Sequence, residues 1–312
     1  MRVVFFGTPQ FAVPSLESLI RSPHDVVGVV TQPDRPRGRG HKVTDAPVKM
    51  TAIQHGLAVF QPARLRDPEV TETLSRWAPD LGVVAAYGKL LPESVLNLPR
   101  LGMINVHASL LPRYRGAAPV HRAVIDGMPE TGVTIMRMVP ALDAGGMFAR
   151  ATRPIGADET SDVVERDLAY LGASLLIEVM DDLAAGRAIE EPQDDSQSTY
   201  ASKITKDEGL IDWTLEAVAI HNRVRGLYPW PHAFSYLNGE RLIVMRSHVA
   251  LEPASAAPAT ILDASSGMIQ VATGLGGRLA IDEVQPEGRR AMNVRDYLAG
   301  HPIQPGTCFG DR

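Results

Sequence analysis

Three polar side chains in the middle of the chain have the types and spacing of a reactive site. Asn105 and His107 stand two apart in Gly102-Met-Ile-Asn-Val-His107, where apolar and β-branched residues predict a short strand that ends by Pro112. Side chains alternate faces along a strand, so the amide and the imidazole point the same way while Val106 points into the core. Downstream, Gly132-Val-Thr-Ile-Met-Arg-Met138 reads as a second strand and Leu142-Asp-Ala-Gly-Gly146 as the turn after it, its glycines freeing the backbone around Asp143. A parallel sheet would bring the carboxyl ends of both strands to the edge where open α/β sheets bind ligands, so Asn105, His107 and Asp143 are expected to meet there. A lone histidine is more often structural; its pairing with an amide donor and a carboxylate singles out His107, since such a group can donate hydrogen bonds and move protons.

The elements that must position these residues are legible from residue 1 to about residue 190. Arg2 to Phe6 reads as a buried strand, Gly7 to Pro9 as a turn, Pro14 to Ile20 as a helix and Val26 to Val30 as the next strand. Later strands fall at Leu81 to Ala86, Met103 to His107 and Val133 to Met138. This alternation predicts an α/β fold, a Rossmann-like doubly wound parallel sheet. Gly7-Thr-Pro-Gln lacks the G-x-G-x-x-G of a dinucleotide site, and Gly38-Arg-Gly-His-Lys42 fails the spacing of a P-loop, so neither nicotinamide nor a nucleoside triphosphate is expected.

Composition narrows the function classes. The 312 residues are 45% hydrophobic, enough for a large core and for two domains. The longest apolar runs fall well short of a membrane span or a signal sequence, and the single cysteine, Cys308, excludes an internal disulfide and a cysteine-rich metal site. A soluble, cytoplasmic protein is expected. No cluster has metal-ligand spacing, and none is expected to hold a metal. The formal charge of −5 argues against general nucleic-acid affinity, so such a partner would need a local basic patch.

One such patch lies between Gln32 and Lys49. Its Pro, Gly and Arg content predicts an irregular loop at the ligand edge that projects Arg35, Arg37, Arg39 and Lys42, either as an ordinary solvated surface loop or as a binder of phosphates. The loop after the strand near Val84, with Tyr87 and Gly88, is expected at the same edge. Pro119 suits the start of a helix carrying His121 and Arg122. From Glu191 to Lys206 the sequence turns polar and loses apolar period, as a linker does. Residues 207–312 then carry a helix near Leu215 to Val224 and several short strands, among them a hairpin at Asn238-Gly239, which together predict a small OB-like β-barrel. Tyr228, Trp230 and Phe234 could stack on bases, but are expected in the barrel core.

Phe6-Gly-Thr-Pro-Gln-Phe11, Thr31-Gln-Pro-Asp-Arg-Pro36, Pro47-Val-Lys49, Val84-Ala-Ala-Tyr-Gly88, Ile104-Asn-Val-His-Ala-Ser-Leu-Leu-Pro112, Tyr114-Arg-Gly-Ala-Ala-Pro119, Glu130-Thr-Gly-Val-Thr-Ile135 and Leu142-Asp-Ala-Gly145 together resemble the methionyl-tRNA formyltransferase family. The resemblance continues through Lys203-Ile-Thr-Lys-Asp-Glu208, Ile211-Asp-Trp213 and Pro229-Trp-Pro231, so it covers both domains. It implies 10-formyltetrahydrofolate as co-substrate and the α-amino group of methionyl initiator tRNA as acceptor, with no obligatory protein partner. Asn105, His107 and Asp143 match the family's catalytic group. Ser109, Leu110, Leu111 and Pro112, with Tyr87 and Gly88, match its folate-binding positions. Arg35, Arg37, Arg39 and Lys42 match the loop that approaches the acceptor stem. Ala141 replaces an expected glycine before Leu-Asp.

The implied chemistry is attack of the amine on the formyl carbon, with Asn105 and His107 on the oxyanion and Asp143 moving the proton; a neutral His107 acting as base is the alternative. The same core would serve formyl transfer to an amino sugar nucleotide or a small amine, or hydrolysis of 10-formyltetrahydrofolate. A non-catalytic RNA-binding protein could also keep the fold.

Overall fold

The computed structural model describes residues 1–37, 42–265 and 267–310, which gather into two compact units. One holds residues 1–119, 131–153 and 165–201; the other holds 120–130, 154–164 and 202–312.

Through residue 201 the chain runs β1 (Arg2–Gly7), α1 (Val13–Arg21), β2 (Asp25–Val30), β3 (Arg35–Arg37), β4 (Lys42–Thr44), α2 (Pro47–Gln54), β5 (Val59–Phe60), α3 (Pro68–Trp77), β6 (Leu81–Ala85), α4 (Glu93–Leu96), β7 (Met103–His107), β8 (Arg115–Gly116), α5 (Pro119–Ile125), β9 (Glu130–Arg137), β10 (Met147–Pro154), α6 (Ser161–Ala184) and β11 (Tyr200–Ala201). Seven of these strands form one sheet in the order β10-β9-β7-β6-β1-β2-β5. β1, β2, β5, β6 and β7 pair in parallel, and β1 and β6 are buried almost throughout, as strands covered on both faces must be. The chain leaves β5 at the edge and returns through α3 to lay β6 on the other side of β1. The carboxyl ends of β1 and β6 therefore flank the switch point where doubly wound sheets take ligands.

Two features of this unit differ from the sequence expectation. β9 runs antiparallel to β7, with Ile104 opposite Arg137 and His107 opposite Thr134. Its carboxyl end thus lies beside the start of β7, and the loop 138–146 must carry Asp143 back to His107. The Pro- and Arg-rich stretch is also not wholly irregular: β3 and β4 pair as an antiparallel hairpin, Arg35 with Thr44 and Arg37 with Lys42, and α2 begins at Pro47. Arg39 lies outside the described residues.

The second unit contains α7 (Ala217–Gly226), β12 (Ala233–Leu237), β13 (Glu240–Ala250), β14 (Ile261–Asp263), β15 (Ile269–Ala272), β16 (Arg278–Pro286), β17 (Met292–Asn293), α8 (Val294–Gly300) and β18 (Phe309–Gly310). Its antiparallel sheet runs β14-β15-β16-β13-β12-β18, with β17 beside β16. The sheet curls until Thr260, just before β14, bridges Cys308, just before β18, and Ile261 N–H donates to the Thr307 carbonyl at 2.8 Å. That closure makes the OB-like barrel. Asn238 and Gly239 turn β12 into β13 with φ of 52° and 80°, the left-handed pair that a two-residue hairpin demands. Ile211 and Trp213 fill the barrel, the Trp213 ring stacking on Phe309 at 5.1 Å.

Segment 154–164 sits in this second unit for a hydrogen-bonding reason. His221 and Arg225, both buried on α7, need partners there. Arg225 donates to the carbonyls of Gly156 and Glu159, and the His221 ring nitrogen Nε2 lies 3.0 Å from the Ala157 carbonyl.

Candidate active site

β7 delivers the first two candidate residues. Val106 faces the helix α6, where Gly172 leaves room for it: a Cβ on Gly172 would lie 2.7 Å from a Val106 methyl. Asn105 and His107 therefore share the opposite face, about 6.7 Å apart along the strand. The Asn105 side chain is half-buried and has no hydrogen-bond partner among the described residues. His107 is buried, with Nε2 3.0 Å from the Tyr114 carbonyl and Nδ1 3.7 Å from Oδ2 of Asp143. A carbonyl can only accept, so Nε2 carries a hydrogen and Nδ1 is the nitrogen turned to the carboxylate.

Asp143 reaches this position by a loop held at several points. Its φ is +48°, a left-handed conformation that aspartate tolerates better than most residues. Gly145 passes so close to the strand that a Cβ there would lie 1.9 Å from the Arg137 carbonyl oxygen. The glycine is required for close approach, and Asp143 itself takes the unusual backbone angle. Gly116 N–H donates to Oδ2 of Asp143 at 2.8 Å. The side-chain amide of Gln193 donates to the carbonyls of Asp143 and Gly145 at 2.8 and 2.7 Å.

The segment after His107 is bolted to β9. Thr134 Oγ1 donates to the Ser109 carbonyl at 2.7 Å and accepts from Leu111 N–H at 3.1 Å. The Ser109 hydroxyl turns inward to the Arg113 carbonyl at 2.7 Å, and Leu111 packs with Met136 and Met147. Of the four residues Ser109 to Pro112, Ser109 and Leu111 are thus spent on structure, while Leu110 keeps partial exposure. Tyr87 likewise puts its ring into the core, edge-on to Phe6 at 5.4 Å. Burial pushes its phenol up to about 12, and its hydroxyl has no hydrogen-bond partner among the described residues. What Tyr87 offers at the switch point is its backbone: the carbonyl accepts from Gln32 Nε2 at 2.6 Å and from Thr8 Oγ1 at 3.4 Å, tying together the loops after β1, β2 and β6.

The foot of the β3–β4 hairpin is clamped by charge. Lys49 donates to Asp34 and, at 2.7 Å, to Asp45, while Gln61 donates to Asp34 at 3.1 Å. The Lys49 ammonium holds the Asp34 carboxyl below the usual carboxylate range, and Asp34 and Asp45 raise Lys49 in return. These are the residues of the Thr-Gln-Pro-Asp and Pro-Val-Lys stretches.

On the second unit the aromatics depart from expectation. Ala233, Ser235 and Leu237 face the barrel core, so Phe234 and Tyr236 face out. Trp230 is 48% exposed and the Arg241 guanidinium lies 3.8 Å over the Phe234 ring. With Lys206 and Pro231 they line an open cleft of about 410 Å3. The core positions went instead to Trp213 and Phe309. Among the described residues no three His, Cys, Asp or Glu side chains cluster as metal ligands would, and no helix is long and apolar enough to cross a membrane.

Sequence reasoning missed Thr134, Arg115 and Gln193. Thr134 carries the signal of a polar residue inside a buried strand; Gln193 carries none, standing in an unbroken polar run.

The formyl transferase family matches residues 1–180, and the formyl transferase C-terminal domain matches residues 203–302. An Asn-x-His strand facing a carboxylate in a doubly wound sheet, on a chain matched along these lengths, defines a formyltransferase. The methionyl-tRNA formyltransferase of Methylococcus capsulatus is 50% identical over 303 residues, covering 97% of this chain and 98% of that protein. That of Citrifermentans bemidjiense is 48% identical over 312 residues, covering 100% and 97%. This chain belongs to the methionyl-tRNA formyltransferase family. Solved structures extend the likeness at the level of fold. The N-formyltransferase from Helicobacter canadensis, in complex with folinic acid and dTDP-3-aminofucose, has a TM-score of 0.66 at 15% identity over 91% of this chain and 98% of that one. Glycinamide ribonucleotide transformylase 1 from Symbiobacterium toebii has a TM-score of 0.52 at 21% identity, covering 62% and 94%.

Proposed function

We propose that this protein transfers the formyl group of 10-formyltetrahydrofolate to the α-amino group of methionyl initiator tRNA in the cytoplasm, giving the formylated tRNA used to begin translation. The observation that carries this reading is the His107–Asp143 pair, 3.7 Å apart and largely shielded from solvent, on the same strand face as the unpartnered amide of Asn105.

The amine nitrogen attacks the formyl carbon, the carbonyl oxygen takes the negative charge, and collapse of the adduct breaks the bond to the folate nitrogen, which takes up a proton. Asn105 donates to the developing oxyanion. His107, its Nε2 hydrogen fixed on the Tyr114 carbonyl, adds an Nδ1–H in its charged form on the side facing Asp143. Such donors act strongly where solvent is scarce, and losing one raises the barrier by about 2.7–4 kcal/mol. Asp143 takes the amine proton, directly or through water, and passes it on toward the leaving nitrogen. The alternative route, with neutral His107 accepting at Nδ1, differs in one observable, the protonation of that nitrogen in a complex with a tetrahedral analogue, which 15N NMR reads.

The folate site is assigned to Leu110, Pro112 and the backbone of Tyr87 and Gly88, since the side chains of Ser109, Leu111 and Tyr87 are taken up by packing. Arg35, Arg37 and Lys42, on a hairpin with a clamped foot, together with Arg39 of the same basic stretch, suit the phosphates near the acceptor end of the tRNA. The test is purified protein with 10-formyltetrahydrofolate and either charged initiator tRNA, an amino sugar nucleotide, or buffer alone. Formyl transfer to the tRNA, with folate turnover in buffer below one per cent of that rate, supports the reading; turnover that is independent of tRNA overturns it.

A further inference from the structure

We propose that Gln193 is a positioning residue for Asp143 and acts through the two hydrogens of its side-chain amide. This rests on the reading of Asp143 given above. Gln193 Nε2 lies 2.8 Å from the Asp143 carbonyl and 2.7 Å from the Gly145 carbonyl, while its Oε1 lies 3.0 and 2.7 Å from Nε and Nη2 of Arg115. Carbonyls only accept and a guanidinium only donates, so the amide has a single workable orientation.

The contacts close into a ring. Arg115 adjoins Gly116, whose N–H holds the Asp143 carboxylate at 2.8 Å. β8 therefore grips Asp143 twice, once through its own backbone and once through Arg115 and Gln193. β8 is itself fixed by pairing with β11, Arg115 with Tyr200 and Gly116 with Ala201, and Arg115 also reaches Asp195 at 2.6 Å. The stretch expected to be a linker is thus a strap over the site, and along residues 189–200 every side chain is exposed except that of Gln193. The loop it holds has little apolar anchorage: Pro140, Ala141 and Leu142 are exposed. Without Gln193 the left-handed turn at Asp143 loses two of its ties.

Gln193→Glu separates this role from simple anchoring. The variant keeps the size of the side chain and gives Arg115 a carboxylate partner, but turns lone pairs toward two carbonyls. Gln193→Ala removes both sets of bonds. Both variants are expected to lower kcat about tenfold or more, with KM for folate and for tRNA within about twofold of wild type and unchanged melting temperature. Combined with Asp143→Asn, Gln193→Ala is expected to add little further loss, because the two act as one unit. A Gln193→Glu protein with wild-type kcat, or losses that add in the double variant, overturns the proposal. Should Asp143→Asn itself turn over at the wild-type rate, the reading of Asp143 falls; a slow Asp143→Asn beside a fast Gln193→Glu sinks only the role of Gln193.

Discussion

The His107 imidazole presents Nδ1 to Oδ2 of Asp143 across 3.7 Å, and the opposite ring nitrogen is anchored 3.0 Å from the Tyr114 carbonyl. That anchoring leaves one nitrogen free and turns it toward the carboxylate proposed to move the proton. The pair is reached from two strands of opposite direction, so its geometry depends on the loop 138–146 more than on the sheet.

Gly145 is the tightest point of that loop. Gly145→Ala puts a methyl 1.9 Å from the Arg137 carbonyl oxygen, so the backbone has to shift and Asp143 with it. Displacement by about 1 Å can cost about 100-fold in rate, and steady-state kinetics should show the loss in kcat with KM for folate little changed.

Tyr87 should matter to stability and little to folate. Its buried hydroxyl lacks a partner among the described residues, so Tyr87→Phe should be neutral or stabilising by up to about 1–3 kcal/mol at pH 8. The phenol is raised on folding from 10.0 to about 12 by burial. Below pH 10 its ionisation therefore costs folding nothing, and stability is lost as pH rises from 10 toward 12, because the unfolded chain ionises first. Melting temperatures across that window should fall less for the Phe variant, with an unchanged KM for 10-formyltetrahydrofolate.

In the second unit, Glu208 receives Arg122 at 2.6 and 3.1 Å and the Thr205 N–H at 2.8 Å. The Arg122 guanidinium, more than any other neighbour, holds the Glu208 carboxyl below the ordinary range. A depressed carboxyl contributes stability that is present above its unfolded value, about 4.3, and lost as pH falls through the folded one. Glu208→Gln should lower the melting temperature at neutral pH and flatten its decline in acid.

The basic stretch from Arg35 to Lys42 predicts a salt effect. Arg39→Ala should raise KM for charged tRNA and reduce the slope of log affinity against log salt by about one, leaving KM for folate unchanged. Lys49→Met, which releases Asp34 and the hairpin foot, should raise KM for tRNA without touching that slope.

Much of this was readable because it is written as periodicity. β1, β2, β6 and β7 are apolar runs of strand length, Asn105 and His107 share a face by alternation, and Asn238-Gly239 fixes a hairpin. The direction of β9 was not readable, since a strand buried on both faces looks the same in either direction. β12 did alternate, with Ala233, Ser235 and Leu237 inward, but its larger aromatics fall on the outer face, against the hydrophobicity of Phe234. Gln193 left no trace, because one polar residue turned inward among exposed polar neighbours breaks no pattern. Its partners are backbone carbonyls of a distant loop and the guanidinium of Arg115.

The most direct test is single-turnover formyl transfer to methionyl initiator tRNA by Asn105→Ala, His107→Ala and Asp143→Asn, with folate binding and melting temperature measured alongside. Each rate should fall at least about 100-fold while the protein stays folded and still binds folate. Wild-type rates in all three would contradict a reaction centred on these side chains.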